Sequence, residues 1–415
     1  MLLLCEKKKG SSGFRIELYF QRRLVVLLLL VFAFLFYGCN KALPLSIDMS
    51  HGAGFLLSLI LENRPASSCV PPTALTLGES ATVVLGQSDY VSTSFGSASN
   101  RMHNPQGIAI DSNGGIWVAD SANNRVLHFP SSIASGGNPD IILGGTSGTG
   151  LNQFTSPGGI ALDLSGGLWV TDGSNQRVLH FPSGVTTGGS ANIVIGVTGS
   201  PGTTNSLLNN PSGVAVDASG GLWVVDYANF RALHFSAPLT SGMAADRVLG
   251  QPNFTISSVG SPPNAVNLGG PSSIKVDSSG GVWISDTGNS RILHYSAPIT
   301  NAMSADLVIG STNFTSTLNG VTSANALWAP SGVSLDSKGG MWVSDSQFRR
   351  VTHYSLPFSN GMNADNVLGE PDYVSFNSSL TVSASKVGNP FDLTVTPCGQ
   401  LWVTDYTFNR VLFYP

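Results

Sequence analysis

Five histidines are the first residues in this sequence that could do chemistry, because each stands at the same place in a recurring motif. The five are His128, His180, His234, His294 and His353. A zinc ion needs its ligands within about 2.0 to 2.3 Å. If the motif recurs on separate structural units, each histidine lies on the third strand of its unit, two strand spacings of ~4.8 Å beyond the innermost strand. Equivalent imidazoles are then well over ~10 Å apart. We therefore predict a repeated structural hydrogen bond at these positions, with no metal and no cofactor.

Aspartate and arginine also recur together, five residues apart, at six places in the chain. The pairs are Asp120 and Arg125, Asp172 and Arg177, Asp226 and Arg231, Asp286 and Arg291, Asp345 and Arg350, and Asp405 and Arg410. We interpret them as ion pairs that hold loops rather than as acid catalysts. The sequence offers no other clustered catalytic group, and we predict no catalytic residue.

Polar residues break the repeat at two positions where most copies are small. At one position four copies have glycine and the other two have Ser273 and Asp392, and two residues further on Lys275 and Thr394 replace Ala or Ser. A lone cation and a lone carboxylate near a common axis could bind a small polar ligand. A solvated channel and a mutual ion pair are the alternatives. With two residues of the variable connections, the ligand-binding candidates are His103, Ser273, Lys275, Trp328 and Asp392.

The elements that must position these residues are six copies of one unit. The copies align without a gap at 104–129, 156–181, 210–235, 270–295, 329–354 and 389–414. Each contains one Trp, at spacings of 52, 54, 60, 59 and 60 residues, and such regular self-similarity is typical of propellers and solenoids. Each copy reads as three short β-strands, and an apolar segment ending in Gly supplies a fourth.

The sixth copy ends at the C-terminus, so its fourth strand must lie elsewhere. A matching segment, VVLG, precedes the first copy at 83–86. We therefore predict an all-β fold, one six-bladed β-propeller of four-stranded antiparallel blades over 81–415, in which the N-terminal strand closes the last blade. The six Trp are then expected to pack between blades rather than to form an aromatic binding platform.

The motifs P-x-G-[IV]-[AS]-[VIL]-D, [LIMV]-W-[VI]-x-D and R-[VI]-L-H-[FY] resemble the NHL repeat. The resemblance also implies a six-bladed propeller. It does not imply a single activity, since propellers of this kind serve as binding platforms, receptor domains and, more rarely, lyases.

All length variation between copies falls in the connection from the fourth strand of one blade to the first strand of the next. These connections are 18, 12, 14, 20, 19 and 20 positions long, counted from the fourth-strand Gly to the residue before the next Pro. Alternating strand direction places them on one face, which is the candidate ligand face because binding residues concentrate on loops of a rigid scaffold. The alternative is that the aromatics of GQPNF, GSTNF and GEPDY pack into the next blade.

The N-terminus has the pattern of an export signal. Basic residues precede an apolar run at 24–37 that is too short for a transmembrane helix. The ending LFYGC resembles a bacterial lipobox, which implies a signal peptide at 1–38, acylation of Cys39 and a lipidated tether at 39–80. A plain signal peptide and an uncleaved anchor are the alternatives. Asn40 favours the outer membrane over the inner membrane, and we expect a protein of the cell envelope.

Charge and cysteine content add two expectations. The full chain has a net charge of −4, whereas residues 40–415 carry 14 basic and 22 acidic residues, 14 − 22 = −8. Six of those cations recur at one repeat position, so we predict no nucleic-acid partner. Of the four cysteines, Cys5 would be removed with the signal peptide and Cys39 would be acylated. In an exported chain the other two can bond, and we predict a disulfide between Cys69 and Cys398. The apolar patch at 55–61 could form a short helix or lie on the bilayer.

Two functions compete. The first is a non-enzymatic, lipid-anchored binding or scaffold protein, a monomer held at the membrane, which presents the loop face to an unknown protein or envelope polymer. The second is a propeller enzyme of the lyase or lactonase type with its site at the mouth of the central channel. Convergence of His103, Lys275 and Asp392 would favour the enzyme.

Overall fold

The computed structural model describes residues 75–415, apart from 260, 261, 319 and 377, together with four strands nearer the N-terminus. The chain divides into two compact units, Met1–Val70 and Pro71–Pro415. Among the described residues, no helix has the length and apolar character of a membrane span.

The first unit contains one four-stranded antiparallel sheet with strand order β1-β2-β4-β3. Its strands are β1 (Leu3–Lys7), β2 (Phe14–Gln21), β3 (Leu45–Asp48) and β4 (Gly54–Ile60). The apolar patch at 55–61 therefore falls largely on a strand rather than a helix. The apolar run at 24–37 of the predicted signal peptide, Cys39 and Cys69 lie outside the described residues.

The second unit consists of six four-stranded antiparallel sheets, the blades of a propeller, and confirms the predicted fold. Blades 1 to 6 are numbered by their innermost strands. The strands are β5 (Val83–Leu85); β6 to β9 (Pro105–Ile110, Ile116–Asp120, Arg125–Phe129, Ile141–Gly144); β10 to β13 (Pro157–Leu162, Leu168–Asp172, Arg177–Phe181, Ile193–Gly196); β14 to β17 (Pro211–Val216, Leu222–Asp226, Arg231–Phe235, Arg247–Leu249); β18 to β21 (Ile274–Val276, Val282–Asp286, Arg291–Tyr295, Leu307–Ile309); β22 to β25 (Pro330–Leu335, Met341–Asp345, Arg350–Tyr354, Asn366–Leu368); and β26 to β28 (Pro390–Val395, Leu401–Asp405, Arg410–Tyr414).

Ring closure follows the prediction. Strand β5 pairs antiparallel with β28, with Leu85 opposite Val411 and Val83 opposite Phe413. The innermost strand of blade 6, β26, contacts β6 of blade 1. The ring is therefore continuous, and no blade is left with a free inner edge.

The core lies between blades. Six buried clusters each combine the Trp of one blade with the apolar strand residues of the next. Trp223 of blade 3, for example, packs with Ile284 and Leu293 of blade 4. The predicted packing role of the Trp residues is confirmed.

A repeated loop contact covers the outer edge of each blade. The loop between the third and fourth strands reaches back to the outermost strand of the preceding blade. In one case the Ser135 hydroxyl accepts a hydrogen bond from the Val84 N–H at 3.1 Å, and the Gly136 N–H donates to the Val84 carbonyl at 2.9 Å. Such contacts satisfy edge groups that would otherwise invite pairing with other chains.

Blade 5 receives this cover from the segment that precedes β5, the strand that completes blade 6. The Gly78 N–H donates to the Val367 carbonyl at 3.0 Å, and the Asn366 side-chain amide donates to the Leu75 carbonyl. Residues 75–80, placed in the tether by the sequence, thus contact the propeller directly.

Candidate functional site

Buried arginines fix the variable connections that form the loop face. Arg231 donates from Nε to Asp226 Oδ2 at 2.7 Å and to the carbonyls of Thr203, Thr204 and Leu207 at 2.7 to 3.0 Å. The Asn209 N–H donates to Asp226 Oδ1 at 2.6 Å. All six blades have the pair, at 2.7 to 3.0 Å, which confirms the predicted loop-holding role.

Burial raises the pKa of five of these aspartates, and the paired arginine opposes the shift; the five are Asp120, Asp172, Asp226, Asp286 and Asp345. The pKa of Asp345 rises to about 6 despite Arg350 beside it. Phe348 takes the place that Asn occupies in the same loop of blades 1 to 4, and its ring lies 4.8 Å from the Arg350 guanidinium carbon. Phe408 is the equivalent residue in blade 6, 5.1 Å from the Arg410 guanidinium carbon, so in both blades an aromatic ring lies against the buried arginine.

The repeated histidines have the structural hydrogen bonds that the sequence predicts. His128 lies between Asp140, 2.6 Å from Nδ1, and Asp111, 2.9 Å from Nε2. Its ring also packs against Trp117 at a centroid distance of 4.7 Å. The described residues contain no group of three or more His, Cys, Asp or Glu that could hold a metal ion.

Aromatics near the start of the long connections are partly buried. Tyr90, Phe254, Phe314 and Tyr373 pack against apolar clusters that include the blade just completed. Phe254, for instance, joins the cluster of Phe235, which belongs to the blade before the loop. The alternative expectation, that these aromatics pack into the next blade, is therefore wrong, because each connection folds back over the blade that it follows.

The same face carries most of the exposed apolar side chains. Of the 14 large hydrophobic residues exposed among the described residues, 11 lie on the variable connections or the adjacent Asp-to-Arg loops. These 11 are Val91, Phe95, Leu151, Val197, Tyr227, Ile256, Val259, Val321, Val374, Phe376 and Leu380.

A second candidate site is a cavity of about 20 Å³ on the propeller axis. Three of the five predicted ligand-binding residues line it, namely Ser273, Lys275 and Asp392. Glycines of the other blades form part of the wall, and a Cβ atom added to Gly159 would lie only 2.4 Å from the Ser212 carbonyl oxygen. The glycines are required because the innermost strands approach closely, so the cavity is bounded mainly by backbone.

Asp392 is the most constrained charged residue of the cavity. Asp392 is only 8% exposed. Its Oδ2 accepts a hydrogen bond from the Ile108 N–H at 3.2 Å, and its Oδ1 has no hydrogen-bond partner. Burial raises the pKa of Asp392, and the Lys275 ammonium opposes that shift. Among the described residues no direct ion pair joins the two groups, so the mutual ion pair expected as an alternative is not formed.

His103 and Trp328 do not line this cavity. They occupy equivalent places on blades 1 and 5, where each donates its backbone N–H to the buried aspartate of its own blade, at 2.7 and 2.8 Å. The His103 ring stacks on Phe95 at 4.4 Å, and Trp328 contacts Phe348 edge-on at 5.5 Å. The five predicted residues are therefore divided between the axial cavity and the loop face.

Phe391 is a cavity residue that the sequence reasoning missed. It stacks on Tyr406 at 5.7 Å and stands where three other blades have Ser212, Ser272 and Ser331. Each of those serine hydroxyls donates to a carbonyl of the next blade, at 2.6 to 3.0 Å. The break from Ser to Phe was visible in the alignment and could have identified it.

Cys398 forms a disulfide bond. It lies in the turn between β26 and β27 of blade 6. Its predicted partner, Cys69, is outside the described residues, so the pairing remains a prediction.

Comparisons with known proteins agree with the repeat. The NHL repeat profile matches residues 102–129, 154–181, 208–235 and 268–295. The chain thus carries NHL repeats, and the matched segments are those of blades 1 to 4.

Two curated proteins resemble part of the chain. NHL repeat-containing protein 3 of Mus musculus is 29% identical over 123 residues, 28% of this chain and 33% of that protein. Peptidylglycine alpha-amidating monooxygenase of Rattus norvegicus is 36% identical over 93 residues, 21% of this chain and 9% of that protein. The similarity therefore spans about a third of the first relative and a small part of the second.

A solved structure shares the propeller fold. A structural genomics protein of unknown function from Bacteroides thetaiotaomicron superposes with a TM-score of 0.53 at 14% identity. The superposition covers 100% of this chain and 98% of the other. At this identity it shows the fold alone.

Proposed function

We propose that this NHL-repeat propeller is a lipid-anchored binding or scaffold protein of the cell envelope, which presents its loop face to a protein or an envelope polymer. The observation that carries the proposal is the location of the exposed apolar side chains, 11 of 14 on that face. Exposed apolar side chains that gather on one face are typical of interaction sites, whereas scattered ones are normal on any surface.

The buried arginines support binding by this face. Each of them holds several loop carbonyls at once, as Arg177 does with Thr149, Gly150 and Gln153. Loops that are ordered before binding lose less conformational entropy when a partner docks. A rigid loop face can therefore bind without a large folding cost.

Attachment to the membrane is proposed from the N-terminal sequence. A lipid-modified Cys39 would tether the propeller to the envelope, with the outer membrane favoured by Asn40. Metabolic labelling with an alkyne fatty acid tests this directly. The Cys39→Ser variant should lose the label and the Cys5→Ser control should keep it; a labelled Cys39→Ser protein would contradict the anchor.

An enzymatic site at the channel mouth is the second candidate. It is favoured by the convergence of Ser273, Lys275 and Asp392 on one cavity and by the enzyme name of the rat relative. His103, however, lies on the loop face and stacks on Phe95. The described cavity therefore has a carboxylate and an ammonium but no imidazole, which supports binding over catalysis.

A pair of matched variants tests the loop-face proposal. Val91 and Val374 are 67% and 68% exposed on the loop face, and Leu164 is 74% exposed in the turn at the opposite end of a blade. After in-cell cross-linking, we expect about tenfold less of the envelope partner to co-purify with the Val91→Asp/Val374→Asp protein than with the unchanged protein. Leu164→Asp should co-purify as the unchanged protein does. Equal recovery of the partner by all three proteins would contradict the proposal.

A further inference from the structure

We propose that the axial cavity binds a hydroxyl group of an uncharged polyol or saccharide, held between Asp392 and Lys275. The cavity supplies one acceptor and two donors that the fold itself leaves unused. This site is separate from the loop face, and binding in it does not require the proposed partner.

The unused acceptor is Asp392 Oδ1. It is buried and has no hydrogen-bond partner, although its sister oxygen Oδ2 accepts the Ile108 N–H. Buried polar atoms are nearly always paired with protein or with ordered water. Gly332 makes room for this oxygen, because a Cβ atom there would lie 2.9 Å from Oδ1.

The unused donors are the Lys275 ammonium and the Ser273 hydroxyl. Both residues line the cavity, and neither side chain has a hydrogen bond or ion pair among the described residues. By contrast, the neighbouring hydroxyls of Ser272 and Ser331 already donate to carbonyls of the next blade. The donor and acceptor available to a ligand therefore come from blades 4 and 6.

Size and charge together select a hydroxyl group. A space of about 20 Å³ holds one water-sized group. An ammonium or a carboxylate group placed between Asp392 and Lys275 would meet one attractive and one repulsive charge, so little would offset the cost of its desolvation. A hydroxyl is the common group of this size that both donates and accepts without a charge, so it can donate to Asp392 and accept from Lys275.

The test is a titration of the full-length protein in detergent, followed by ligand-observed NMR. The hydroxyl probes are glycerol, methyl α-glucoside and N-acetylglucosamine, and the charged probes are glycine, acetate and ammonium. We expect saturable binding of at least one hydroxyl probe and none of the charged probes.

Variants locate the binding. Asp392→Gly and Lys275→Ala each introduce the residue that other blades have at that position, which favours intact folding, and circular dichroism confirms it. Each should raise the dissociation constant by about tenfold or more, because a buried polar group loses its partner. Ser334→Ala changes the position equivalent to Lys275 in blade 5, outside the cavity, and should change it by less than about twofold.

Three results would overturn the proposal. They are failure of every hydroxyl probe to bind the unchanged protein, preferential binding of a charged probe, and an unaltered dissociation constant in the folded Lys275→Ala protein. The Val91→Asp/Val374→Asp protein should bind the hydroxyl probe normally, so the axial site and the loop face can fail independently.

Discussion

Single buried arginines determine the shape of the loop face. Arg231 is fully buried and donates hydrogen bonds to one carboxylate and several loop carbonyls. These acceptors have no strand partner, and without the arginine they would need hydrogen bonds from water. Its recurrence with Asp, five residues before it, made the pair predictable. The carbonyl partners were not predictable, because backbone acceptors leave no mark in the residue types.

Replacing this arginine should destabilise the protein strongly. We expect Arg231→Met to lower the free energy of unfolding by about 3–5 kcal/mol, because Asp226 would remain as a buried, unpaired carboxylate. Urea denaturation measures the change. Arg247, 39% exposed and 3.4 Å from Asp246, is the control, and Arg247→Met should cost about 0–1 kcal/mol. Similar losses in both variants would refute the role of burial.

Carboxylates in the turns at the opposite ends of the blades should make stability depend on acid. Burial raises the pKa of Asp163, Asp217 and Asp277, but hydrogen bonds from a serine hydroxyl, the repeated histidine and backbone N–H groups outweigh it, so each pKa lies below the model-compound value of 3.8. The folded state therefore favours the ionised form. Its stabilisation is complete above the unfolded pKa and is lost as the pH falls through the folded pKa.

The contribution of these three carboxylates to the free energy of unfolding should consequently decrease between about pH 5 and pH 3, whereas buried aspartates with a raised pKa, such as Asp345, act in the opposite direction. Urea titrations at each pH measure this slope. The triple variant with Asn at 163, 217 and 277 should show a shallower slope. An unchanged slope would mean that other groups control the acid transition.

At the scale of elements, the strands were predictable, whereas the edge cover of blade 5 and the unpartnered Oδ1 of Asp392 were not. Six aligned copies located every blade, because Trp, Asp and Arg each have one fixed place in the blade. The edge cover by residues 75–80 was missed, since Gly78 acts through its backbone N–H. Lys275 and Asp392 could be identified because they break the repeat, whereas the free Oδ1 depends on how closely the inner strands approach.

That close approach is testable at one glycine. A Cβ atom at Gly159 would lie 2.4 Å from the Ser212 carbonyl oxygen, whereas at Gly96 the nearest atom would be 3.5 Å away. Gly159→Ala should therefore lower the unfolding free energy by about 1–3 kcal/mol through overpacking. Gly96→Ala should change it by less than about 0.5 kcal/mol. If calorimetry finds both variants equally stable, the inner strands are less tightly packed than described.

At the scale of the whole molecule, the N-terminal part of the propeller joins the ends of the ring. Strand β5 completes blade 6, and residues 75–80 cover blade 5. Chain ends that are tied together oppose opening of the ring, because one blade cannot leave without breaking contacts at both ends.

The predicted disulfide should add to this closure. Non-reducing peptide mapping is expected to recover a peptide that links Cys69 to Cys398. Reduction should lower the unfolding free energy by about 2–4 kcal/mol, and Cys69→Ala should reproduce that loss. Recovery of Cys398 linked to Cys5 or Cys39 would show that a different segment is held there.

The loop face as the binding face is most directly tested by photo-cross-linking in intact cells. A photoreactive amino acid would be placed in turn at Val91, at Val374 and at the similarly exposed Leu164. We predict a discrete cross-linked product from the first two positions and none from Leu164. Cross-linking from Leu164 alone, or from none of the three positions, would contradict binding through the loop face.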